Sequence, residues 1–316
     1  MYAHRCLVLA SSLLTATLTS GCDPDTLADD ADGVVHFRPG GGVWLNTSSI
    51  GAQPFSEFDT SGIVHDGVRF TGLLLKRADN TWLAATPEVT DGNLKGKVGK
   101  TAYVGVDLVG SRWKFNMVDG AVETPVEIWI ESYTQVSPKE ARYTFKTLDS
   151  NGVAQPICDA DLNGSVAVTP IRDITVDSAT GDMVSRTKTV YLACTSGALG
   201  KAIAWGYRPW ERPLQEFEAA TRMVRADYCY DGMSWTETGI SLQVHDKYGV
   251  NTFLDATDPN EAVWLATGAA CIGTPRNPTY GPATVTCNGQ ALPSCPANVG
   301  MSTYAGSLFW TKRNVP

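Results

Sequence analysis

Six cysteines between positions 158 and 295 constrain this chain more than any other feature. In an exported protein an even set reads as disulfides, and the first residues of the chain carry the marks of export. Arg5 precedes an apolar run from Leu7 to Leu18, which is shorter than the roughly 20 residues a membrane-spanning helix needs. Leu18-Thr19-Ser20-Gly21-Cys22 then has the layout of a bacterial lipoprotein box, offset by one position, with Cys22 as the acylation site. The expected order is a signal peptide over 1–21, an acidic tether over 22–33, and a body held near a membrane by its lipid. Ordinary cleavage without a lipid is the alternative. Cys6 leaves with the signal, so Cys158, Cys194, Cys229, Cys271, Cys287 and Cys295 remain to pair.

Sequence favours three bridges without fixing them. Asn288-Gly289 is a strong hairpin-turn signal and makes Cys287–Cys295 the natural local bridge. Cys158–Cys194 would tie the ends of a strand–turn–strand stretch, which leaves Cys229–Cys271. A cysteine metal site is the competing reading, but the CxxC spacing such sites use is absent. Loss of Arg5 with the signal moves the net charge from −8 to −9. An acidic body without a basic cluster excludes nucleic acid as an expected partner, because that binding rests on phosphate neutralisation.

The body reads as mainly β, in antiparallel sheets of sandwich- or barrel-like form. Residues 34–150 form an N-terminal β-rich region and 151–316 a cysteine-containing domain. Brief strands are expected at VVHF (34–37), GVWLN (42–46) and VRFTGLLLKR (68–77). Between 101 and 148 Val, Ile, Trp, Tyr and Phe recur two apart, as half-buried strands require. There Val126, Ile128 and Ile130 face one way and Glu127, Trp129 and Glu131 the other. Trp129 reads as surface cover, since the pattern offers no second aromatic beside it. One stretch has a helical period. After Pro213, Leu214, Phe217, Thr221, Val224 and Tyr228 make one stripe, so an amphipathic helix is expected over 213–228. Glu218 sits four before Arg222, the favourable orientation for a helical ion pair.

Beyond these patterns stand longer runs: YLACTSGALGKAIAWGYRPW at 191–210, TRMVRADYCYDG at 221–232, ISLQVHDKYG at 240–249 and GAACIGTPR at 268–276. By these the chain resembles the ADYC domain family of exported bacterial, often myxobacterial, proteins, with Ala226-Asp227-Tyr228-Cys229 as the name-giving run. Residues 60–160 are similar more loosely, through FTGLLL, SRWKF and NGVAQPIC. The resemblance implies no catalytic residue, because the family's function is unknown. It does imply a contact: relatives carry cysteines where this chain has Ala202 and Ala220, so the strand expected before GYRPW should lie close to the start of the helix.

Four clusters could carry chemistry. Asp227, Asp231 and His245 are the acid/base candidates for a hydrolase, although Asp231-Gly232 is a turn former and Asp227 has backbone or Arg225 as ready partners. No GxSxG elbow accompanies His245. Asp159, Asp161 and Asn163 copy the opening of a calcium loop, but Pro170 stands where the closing Glu belongs. A looser calcium site competes there with a plain hairpin turn, and no other cofactor is expected. Trp205, Tyr207, Arg208 and Trp210 form the densest aromatic–cationic cluster, either a stacking surface or core with Arg208 over an indole. The leading functional reading is a lipid-anchored envelope protein, non-enzymatic, meeting its membrane through the anchor and open to an envelope polysaccharide or protein as partner. The alternative is a secreted hydrolase of polysaccharide or peptide with Asp227, Asp231 and His245 in a cleft.

Overall fold

The computed structural model describes residues 45–51, 53–236, 242–252 and 257–313. Cys22, the acidic tether, the VVHF strand and the first two residues of the ISLQVHDKYG run lie outside these residues. Strands come first in chain order. A two-residue pair, β1 (Ser49–Ile50) and β2 (Gln53–Pro54), precedes β3 (Glu57–Asp59), β4 (Val68–Lys76), β5 (Trp82–Thr90), β6 (Asn93–Val98) and β7 (Thr101–Val104). Next come β8 (Arg112–Asp119), β9 (Val122–Ser137), β10 (Glu140–Leu148), β11 (Ala154–Pro156), β12 (Val168–Val176) and β13 (Met183–Cys194). Two helices follow, α1 (Ala198–Ala204) and α2 (Leu214–Val224). The remaining strands are β14 (Leu242–Asp246), β15 (Asn260–Leu265), β16 (Gly268–Ile272), β17 (Thr286–Cys287), β18 (Gln290–Ala291) and β19 (Phe309–Arg313).

Eleven strands make one antiparallel sheet in the order β3-β13-β12-β10-β9-β8-β4-β5-β6-β7, with β11 paired to β10. The order has two ends, so the sheet is sandwich-like and does not close into a barrel. It folds over because β5 changes partners along its length, pairing with β4 through Ala85 and with β6 from Thr86 onward. The β5–β6 turn then meets the β9–β10 turn, where the Gly92 N–H bonds to Lys139 O at 2.8 Å. Between the layers lies an aromatic core of Phe58, Phe70, Trp113, Phe115 and Phe145, in edge and stacked contacts. The sheet runs across position 150, since β11, β12 and β13 continue it.

β13 explains why the pattern changes there. Val190, Leu192 and Cys194 face the aromatic core, while Tyr191 and Ala193 face a second core built with both helices and a four-stranded sheet, β14-β19-β15-β16. A strand buried on both faces reads as an unbroken apolar run. That run continues into α1, so the strand expected before GYRPW is a helix instead. Gly200 lets α1 pack there: a Cβ at this position would lie 2.0 Å from the carbonyl oxygen of Cys194. Ala202 and Ala220 are both fully buried in the second core, on α1 and α2 respectively, and those helices pack together. Among the described residues no helix is long and apolar enough to cross a membrane.

Of the three expected bridges, Cys158–Cys194 forms, but Cys287–Cys295 and Cys229–Cys271 do not. The pairs are Cys229–Cys287 and Cys271–Cys295, with Cα atoms 5.1 and 4.9 Å apart. Asn288-Gly289 does turn the β17–β18 hairpin, both residues having positive φ. Its register, however, sets Cys287 opposite Gln290. Cys295 lies past the hairpin, its N–H bonded to Ile272 O. The turn signal was sound, and the nearest cysteine in sequence was not the one opposite.

Candidate functional site

The densest polar chemistry gathers where α2 ends. The helix stops at Val224, four residues short of the expected limit, because Ala226 takes a left-handed φ of 54°. The N–H groups of Ala226 and Asp227 then bond back to Met223 O and Arg222 O, the double closure of a Schellman motif. Alanine here carries strain that glycine would not, and its methyl group is buried in the second core. The turn delivers the next three side chains inward.

Asp227 is fully buried. Its Oδ2 accepts from Arg222 Nη1 at 2.7 Å and from the Gly232 N–H at 3.0 Å, and its Oδ1 from the Asp231 N–H at 3.2 Å. Burial raises this carboxyl against the opposing pull of Arg222. Arg222, itself buried, also donates to Glu218, to Asp182 in the β12–β13 turn at 2.5 Å and to Thr180 O at 3.0 Å. Its guanidinium stands 4.1 Å from the ring centre of Tyr230. The helical Glu218–Arg222 pair therefore exists, but inside the protein, as one arm of a joint between α2, the β12–β13 turn and the motif.

Tyr228 stacks on Trp264 with centroids 5.2 Å apart. Its hydroxyl donates to Glu261 Oε1 at 2.8 Å and accepts from the Arg276 N–H at 2.9 Å. Arg276 pairs with Glu261 and donates to Val224 O and Met223 O at 2.6 and 2.9 Å, sharing the second with the Ala226 N–H and so capping the helix end. Cys229 holds the β17–β18 hairpin through Cys287. Each residue of Ala226-Asp227-Tyr228-Cys229 thus has one structural task.

Beyond Asp231, which shares the turn of Asp227, the other sequence candidates are dispersed. Asp231 is exposed, its Oδ1 accepting the Met233 N–H within the turn. His245 lies on β14, opposite Trp310 of β19, with ring centroids 6.3 Å apart. No bond among the described residues joins it to Asp227 or Asp231. Asp161 Oδ1 accepts the N–H groups of Asn163 and Ser165, an Asx-type turn, while Asp159 O accepts from Ser196 Oγ. Among the described residues no group of three or more His, Cys, Asp or Glu is placed to hold a metal ion. The aromatic cluster turns inward: Tyr207 is buried, in edge contact with Phe309, and donates to Asp246 at 2.9 Å. Arg208 reaches Glu140 at 2.7 Å rather than an indole, and Trp205 and Trp210 pack against the second core.

Two features escaped the sequence reading. Glu57 Oε1 accepts from Thr175 Oγ1 at 2.6 Å and lies 3.0 Å from His65 Nε2. Burial, with Asp66 adding to it, pushes the Glu57 carboxyl up to about 7, and burial holds His65 below its ordinary value. Strand pairing brings Glu57 and Thr175 together, and the β3–β4 connection adds His65. The second feature is the partner of Trp129: the side chain of Trp82 lies on the same sheet face, with Arg112 between the two rings.

The ADYC domain family model matches residues 105–278, more than half of the chain. No curated protein matches the chain, and no solved structure does. The match begins within the N-terminal β-rich region and ends just past Arg276.

Proposed function

We propose that this chain, which belongs to the ADYC domain family, is an exported lipoprotein that binds at or supports the cell envelope and catalyses no reaction. The observation that carries this reading is the employment of the motif itself. Asp227, the best-placed carboxylate for acid/base work, is closed off from solvent and bonded to Arg222 and two backbone amides. A general acid or base must reach the proton it moves, and Asp227 reaches only protein. Asp231 shares the turn, but its exposed carboxylate accepts the Met233 N–H rather than meeting Asp227, and His245 lies on β14.

Three disulfides fit a compartment outside the reducing cytosol. With the Leu18–Cys22 box they support anchoring through an acylated Cys22, facing periplasm or exterior. The partner classes are then the membrane, through the lipid, and an envelope polysaccharide or protein.

The test is to incubate the purified protein with acidic and neutral polysaccharides and with a peptide library. No new reducing ends and no new peptides are expected. Cleavage that disappears in Asp231→Asn or His245→Gln would establish the hydrolase instead.

A further inference from the structure

The outward face of the large sheet carries chemistry that neither core uses. Alternation sends Trp113, Ile128 and Ile130 inward and leaves Arg112, Lys114 and Trp129 on the other side. Register places Arg112 directly opposite Trp129 on β9 and opposite Leu74 on β4. Trp82 opens β5 opposite Lys76 and is 43% exposed. The Arg112 guanidinium therefore stands 5.1 Å from the Trp129 ring centre and 5.9 Å from that of Trp82. The second aromatic that Trp129 lacked in the sequence comes from another strand, across three sheet pairings.

Charge on this face runs against the charge of the chain. Arg112 bonds Glu127 at 2.8 Å, and Lys146 pairs with Glu131, whose other oxygen accepts the Trp129 indole N–H. Lys76 and Lys114 are exposed and make no ion pair among the described residues. Positive charge is thus in local excess on a protein of net charge −8. One exposed indole and one half-buried indole on either side of a guanidinium, with lysines nearby, match a ligand that is hydroxylated and anionic.

We propose that Trp82, Arg112 and Trp129 form a binding platform for an acidic polysaccharide, one carrying uronate carboxylates. Sugar rings lay their C–H faces on the indoles. Ligand carboxylates meet Lys76 and Lys114, and hydroxyls pair with Glu127 and Glu131. Those two carboxylates disfavour an anionic bilayer, and the rings are flanked by charges where a membrane-inserting face needs an apolar belt. The proposal rests on the reading of the chain as a non-enzymatic envelope protein, and gives it a site and a ligand class.

Native gel electrophoresis of the full chain through polygalacturonate tests it, with dextran gels and phosphatidylglycerol vesicles run in parallel. Polygalacturonate should retard the protein, dextran should not, and added salt should weaken the effect. Trp82→Ala and Trp129→Ala should each raise Kd about tenfold. Lys114→Gln, an exposed change that leaves the indoles in place, should weaken retention and flatten its salt dependence. Retardation by dextran alone, retention unchanged in the Trp82→Ala/Trp129→Ala double variant, or binding to vesicles alone would each overturn the platform. Absence of any retardation would also overturn it while leaving the non-enzymatic reading intact. Asp231-dependent cleavage of polygalacturonate would overturn that reading instead.

Discussion

A carboxylate that is sealed from water and bonded to an arginine does different work from one that opens on a cleft, and Asp227 is of the first kind. Its neighbourhood was half legible: the turn at Asp231-Gly232 and the backbone bonds follow from residue type, whereas the choice of Arg222 over Arg225 depends on where α2 stops. The Glu57–His65–Thr175 cluster was not legible, because Glu57 and Thr175 meet through the pairing of β3 with β13 and β13 with β12, and His65 joins them from the β3–β4 connection. It makes a prediction about pH. The Glu57 carboxyl titrates near 7 when folded against 4.5 otherwise, so the folded state holds a proton across that window that the unfolded chain has released. Stability from this group is present below pH 4.5 and is lost as pH rises through 7, by up to about 3 kcal/mol. His65, held low, acts in the opposite sense below its ordinary value. Urea midpoints measured from pH 5 to 8 should fall for the wild type relative to Glu57→Gln, and parallel curves would exclude the shift. Gly200→Ala should cost about 1–3 kcal/mol, since its methyl would have to displace the backbone at Cys194. An unchanged melting temperature would place α1 elsewhere.

α2 was readable because its apolar stripe has one period and Pro213 marks its start, while its end was set by a left-handed alanine that carries no sequence signal. α1 escaped because it follows a strand buried on both faces, and an apolar run without alternation does not announce where strand becomes helix. Cysteine pairing escaped for a related reason: the Asn288-Gly289 turn fixes the hairpin, but the partner of Cys287 arrives from the end of α2. Non-reducing peptide mapping should recover Cys229–Cys287 and Cys271–Cys295. A Cys287–Cys295 peptide would contradict the placement of the C-terminal segment. These bridges close loops of 58 and 24 residues, long enough for each to contribute about 3–4 kcal/mol in the chain-entropy account. Cysteines installed together at Ala202 and Ala220 should oxidise to a further bridge between α1 and α2 and raise the melting temperature. Two free thiols after oxidation would contradict the helix contact.

Two cores share β13, and the motif at the end of α2 binds the second core to everything around it. Arg222 joins helix, β12–β13 turn and motif. Arg276 and Tyr228 join the helix end to the four-stranded sheet, and Cys229 holds the C-terminal segment. β-rich class, disulfide bracing and family membership were all accessible from alternation, cysteine count and the 191–276 motifs. Sheet order was not, because strand neighbours far apart in sequence leave no trace in local pattern. Cys22→Ser should move the protein from membrane to soluble fractions if acylation anchors it, and unchanged fractionation would remove the anchor from the account. The urea-unfolding midpoint of Asp227→Asn bears on the motif as a joint. Removing one partner of a buried ion pair should lower stability by about 3 kcal/mol, with retention on acidic glycan unchanged under folding conditions. A wild-type midpoint accompanied by loss of a measurable activity would instead make Asp227 a functional group and the joint incidental.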